Sequence, residues 1–213
     1  MPKGVCAMPP NTLDYAPLMR RLLTALDDWV NAGKEPPPSR YPRIVDGTLV
    51  AMTAPTGTIP GFTMAKASAN RPRVDYGPEF EKGIISRTMP VTLPETYPTL
   101  VPRMDGDGND IAGIRLPAVS VPVATATGWS VRAADAGGAG ELCYLDGSYV
   151  PFSKTKDERE AKADSRPSLE ERYGDASTYA TRLAAAATAL AKEGYLLDED
   201  VPRIAAQASG VKW

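Results

Sequence analysis

Residues 104–113 read MDGDGNDIAG and place Asp105, Asp107 and Asn109 at alternate positions, the order in which a calcium loop begins. Such a loop needs glycine at its sixth position for the sharp turn and a bidentate glutamate at its twelfth. Here those positions hold Asp110 and Leu116. The segment therefore reads as a hairpin turn whose aspartate and asparagine side chains bond their own backbone. A cation held by Asp105, Asp107 and Asn109 is the weaker alternative, and no metal site is expected.

Other chemistry is limited by what the chain lacks. It contains no histidine, so neither a Ser-His-Asp nor a Cys-His arrangement can be completed within it. The serines in GIISRTMP (83–90) and GWSVRA (128–133) lack the flanking glycines and the following helix of a nucleophile elbow. Carboxylate pairs at Glu79 and Glu81, Glu170 and Glu171, and Asp198 to Asp200 sit at helix starts or in charged loops, where acidic residues are favoured without catalysis. No dinucleotide-binding or phosphate-binding glycine pattern occurs, and no cofactor is expected. Cys6 and Cys143 are too far apart in sequence for a C-x-x-C site and either pair or remain buried thiols. Trp129, Tyr144, Tyr149 and Phe152 could line a pocket or fill a core, and Trp129 and Tyr144 are the candidate pocket or surface contacts.

The elements that would position these residues fall into three stretches. In 1–40, Leu18, Leu22, Leu23, Leu26, Trp29 and Val30 form one stripe at helical spacing, opposite Arg20, Arg21, Asp27 and Asp28. This predicts a helix with a buried apolar face, starting near Ala16 with Pro17 in its first turn and ending at Gly33 before EPPPSRYP. The stretch 41–152 reads as strands and turns, with D-G pairs at 46, 105, 107 and 146 and with AGIRLPAVSVPVATATGW (112–129) as extended chain. Prolines at 90, 94, 98 and 102 argue for extended or edge segments rather than a central sheet.

From 153 the charged run SKTKDEREAKADSR reads as solvated surface. Ser168 and Glu171 form a capping box. A long helix from about Ala176 presents Tyr179, Leu183, Ala187 and Leu190 on one face and stops at Gly194, and Asp198 caps a short last helix. The expected fold is α+β: one sheet-covering helix, a hairpin-rich middle and two to three terminal helices. A net charge of −2 and a pI near 5.3 give no footprint for nucleic acid or an anionic membrane surface. The longest apolar run, LAAAATALA, falls far short of the ~20 residues that span a bilayer. No secretory signal is visible, so a soluble chain is expected and its compartment stays open.

Several stretches in this order resemble a family of bacterial α/β-hydrolase domain proteins. They are CAMPPNTLDYAPLMRRLLTALDDWVNAGKEPPPSRYP, then VPRMDGDGNDIAGIRLPAVSVPVATATGW, then ELCYLDGSYVPF, then SLEERYGDASTYATRLAAAATALAKEGYLLDEDVPRIAAQA. The resemblance covers most of the chain and is weakest over 51–95. It implies the C-terminal portion of such a protein, downstream of the catalytic histidine. No position matches the family's nucleophile elbow, acid or histidine, so no catalytic residue carries over. The first helix would then cover a sheet supplied by the missing N-terminal hydrolase portion, from the same gene or a separate chain. The alternative is a freestanding binding or accessory module that uses the β-rich surface.

Overall fold

A computed structural model describes residues 4–52, 57–65, 71–143 and 147–213. Helix α1 (Ala16–Ala32) starts with proline in its first turn and ends at Gly33, whose φ of 66° closes the helix through its amide to the Trp29 carbonyl. Strand β1 (Leu49–Ala51) follows, then β2 (Pro72–Asp75), β3 (Val91–Thr96) and β4 (Leu100–Pro102). After them come the single-turn helix α2 (Pro117–Ser120) and strands β5 (Ala124–Thr127) and β6 (Ser148–Pro151). The chain closes with α3 (Lys156–Ala161), α4 (Leu169–Tyr173), α5 (Ala176–Lys192) and α6 (Asp200–Ala206).

Among the described residues the strands form three separate antiparallel pairs, β1 with β4, β2 with β3, and β5 with β6. Val50 lies opposite Val101, and Thr125 opposite Val150. Each pair is only two strands wide, so its prolines lie at edges, and the outer edge of β6 is taken up by residues 9–11, whose Pro9 carbonyl accepts the Tyr149 amide. The β2–β3 hairpin carries Phe80, Ile84, Ile85 and Met89 exposed in its connecting loop. The architecture is α+β.

The main core is helical. Tyr179, Leu183, Ala187 and Leu190 of α5 pack with Phe152, Leu169, Tyr173, Tyr195, Leu196, Ile204 and Ala208. Ser168 accepts the Glu171 amide while the Glu171 carboxylate accepts the Ser168 amide, which fixes the start of α4. Asp175 caps α5 by accepting the Thr178 amide. A smaller cluster of Met8, Ile59, Val131 and Val150 underlies the β-rich part. Cys6 and Cys143 are joined in a disulfide that fastens the N-terminal segment to that part. The proline-rich link after α1 is strapped to the helices by Arg40, which pairs with Glu193 and lies over the Tyr195 ring.

Four expectations are corrected. In α1 the residues that reach the interior are Pro17 and Ala25, with Leu18 partly buried against the core. Leu23, Leu26, Trp29 and Val30 face solvent. The apolar stripe points outward because the chain offers hairpins rather than a broad sheet, and because Arg20 reaches the buried Asp200 and sets the helix rotation. Second, residues 112–129 are not continuous strand, since Pro117 starts a helical turn and only Ala124–Thr127 pairs.

The charged run from 153 is solvated only in part. Its α3 side chains are mostly exposed, but Asp164 and Arg166 are buried as an ion pair. Lastly, Asp198 does not cap the last helix. Glu199 occupies that place with no side-chain bond, and Asp198 offers only its backbone carbonyl to Val201.

Candidate functional site

The acidic turn is held by its own side chains. Asp105 Oδ1 accepts the amides of Asp107 and Asn109, both at 3.0 Å, while Oδ2 faces Arg115 at 2.9 Å. Asn109 is fully buried and acts as an added rung on β5: it donates to the Ala124 carbonyl and accepts the Ala126 amide. Gly108 is required here. Its φ is +78°, and a Cβ would lie 2.9 Å from both Ile59 Cδ1 and Thr125 Cγ2. Burial raises the Asp110 carboxyl above its ordinary range, the Asp105 charge adds to this, and Arg115 opposes it.

Asp107 turns away from its neighbours to Arg172, and this leads into a polar network that sequence patterns did not expose. Arg172 and Arg166 lie on the Phe152 ring at 4.7 and 4.9 Å. All five guanidinium donors of Arg166 are used, on Thr125 Oγ1, the carbonyls of Val150 and Pro151, and both oxygens of Asp164. Burial alone would raise the Asp164 carboxyl, but the hydrogen bonds and charge of Arg166 hold it below the ordinary value. This network fixes β5, β6 and the acidic turn to the helical part, and within it Arg172 Nε is buried without a partner among the described residues.

Trp129 packs edge-to-face on Phe62 at 5.4 Å, at the border of the smaller core. Tyr144 lies outside the described residues, as does Asp146 of the fourth D-G pair. Ser130 is buried beside Trp129 with its hydroxyl unpartnered among the described residues, and Ser86 lies in the exposed 76–90 loop. Among the described residues no three acidic, cysteine or histidine side chains converge as metal ligands. The acidic turn, through Gly108 against Ile59, and Trp129 both border the smaller cluster.

A separate cleft of about 220 Å³ opens where the segment before α1 meets α2, α5 and α6, with Tyr149 and Tyr179 in its wall. Its sequence signals were Tyr149, read as a residue that could line a pocket or fill a core, and Tyr179 on one face of α5. On the opposite side of α1, Met19, Leu23, Leu26, Trp29 and Val30 form an uncovered apolar strip. Among the described residues no helix is long and apolar enough to cross a membrane.

The sequence model of the alpha/beta hydrolase domain family matches residues 1–206. The chain belongs to this family. Neither the curated proteins nor the solved structures contain a match to it. Within the family frame, the mixed helices and short antiparallel pairs are hydrolase-domain material, and the outward strip of α1 is the feature that this chain's own strands leave unexplained.

Proposed function

We propose that this chain is the C-terminal portion of a serine-type α/β-hydrolase of the ester hydrolase class and is inactive by itself. The nucleophile and the histidine belong to a complementary N-terminal portion, encoded in the same gene or as a separate chain. The observation that carries this reading is α1: 17 residues long, with Leu23, Leu26, Trp29 and Val30 solvent-exposed on one side. A helix in an α/β-hydrolase sheet layer buries such a stripe against parallel strands. The absence of any histidine supports the same reading, since the chain has no imidazole to activate a serine.

The test is turnover of a short p-nitrophenyl ester. The isolated chain is expected to match the uncatalysed rate, and sustained hydrolysis by the pure protein overturns the proposal. The DNA upstream of Met1 gives a second readout. An in-frame or adjacent segment encoding an elbow serine and a histidine is expected; an unrelated neighbour preceded by a stop codon counts against it. A freestanding accessory module would instead remain monomeric, with no association through α1.

A further inference from the structure

We propose that the cleft between the lead-in to α1 and helices α2, α5 and α6 binds a small neutral molecule, mostly apolar, bearing one carbonyl acceptor of the ketone, ester or amide kind. Its walls are apolar: Leu13, Pro17, Pro117, Ile204 and Val211. Its polar side chains are Thr12, Asp14 and Gln207 together with two tyrosines, Tyr149 and Tyr179. Tyr179 is only 3% exposed, but its hydroxyl and that of Tyr149 make no hydrogen bond within the described residues and are accessible at the cleft wall. The neighbouring buried Tyr173 shows the usual arrangement, donating to the Pro122 carbonyl at 2.7 Å. Two hydroxyls left without partners at the wall of a cleft are donors waiting for an acceptor.

The electrostatics select a neutral ligand. Burial pushes both phenols up, Tyr179 to about 12 with Tyr149 adding to the shift, so both remain protonated donors at neutral pH. Asp14 at the rim disfavours an anion. The space, about 220 Å³, exceeds the ~150 Å³ of an apolar protein cavity that accepts benzene. A single ring with a short arm, or a short acyl chain, therefore fits. The proposal does not depend on what covers α1, because Pro17 lines the cleft from the buried side of that helix, away from Leu23 and Leu26.

Saturation-transfer NMR on the full chain tests this with three probes: acetophenone, ethylbenzene (the same ring and arm without the carbonyl) and benzoate. Acetophenone is expected to bind about five- to tenfold more tightly than ethylbenzene, the ratio one hydrogen bond supplies. Tyr149→Phe should remove most of that ratio while circular dichroism stays unchanged, and Ala118→Trp at the wall should abolish binding. Benzoate should show no transfer. Equal binding of acetophenone and ethylbenzene overturns the proposal, as does benzoate binding as tightly as acetophenone. Acetophenone binding that survives both substitutions also overturns it.

Discussion

Arg166 is a cation held almost without water, and its energetics follow from that. Its five donors have five acceptors and its charge has one carboxylate, so each partner depends on the other. Removing one member of a buried pair costs about 3–5 kcal/mol, because the remaining charge is left uncompensated. Arg166→Met should therefore lower the urea midpoint severely. Arg166→Lys should rescue little, since an ammonium cannot reproduce the fork. The pH dependence has a definite sign. The folded Asp164 carboxyl titrates below its ordinary value of 3.8, so its contribution is complete above that value and is lost as pH falls through the lower folded one. Acid unfolding of the wild type should steepen below about pH 4, and Asp164→Asn should flatten that limb while lowering stability at pH 7. Nothing local in ADSRP announced this pair, because a charged run has the same composition whether its last members point outward or in.

At the scale of elements, α1 separates what a pattern says from what a fold does. Its limits were legible from Pro17 and Gly33, as was the start of α4 from Ser168 and Glu171, because those signals act within one turn of backbone. The buried face of α5 was also legible, since its partners lie close to it in the chain on both sides, from Phe152 to Ala208. The rotation of α1 was not. Periodicity says which side seeks burial, and only a distant contact such as Arg20 with Asp200 says which side obtains it. Leu23→Glu and Leu26→Glu should accordingly leave the melting temperature within about 1 °C of wild type and improve solubility, as surface changes do. Ala25→Glu on the inner side should lower it markedly, since Ala25 is 2% exposed. The acidic turn before β5 was readable for a further local reason, the Asp105 carboxylate closing on amides two and four residues ahead. The helical turn at Pro117 was hidden among residues that favour strands.

For the molecule as a whole, the disulfide is the covalent constraint. Cys6 and Cys143 are 137 residues apart in sequence, and the bridge ties the N-terminal segment to the β-rich part. Closing so long a loop stabilises the folded chain by about 2–4 kcal/mol. Cys6→Ser should lower the urea midpoint accordingly, and unreduced denatured protein should give no reaction with a thiol reagent. Because Cys143 is fully buried while Cys6 is partly exposed, reductant should attack at the Cys6 sulfur, and denaturant should speed the opening. The outward strip of α1 has another consequence, for the life of the chain in a cell. A chain that shows Leu23, Leu26, Trp29 and Val30 to water presents what quality-control machinery binds in an unassembled subunit. Its abundance would then be set by the supply of whatever covers that helix rather than by its own rate of synthesis.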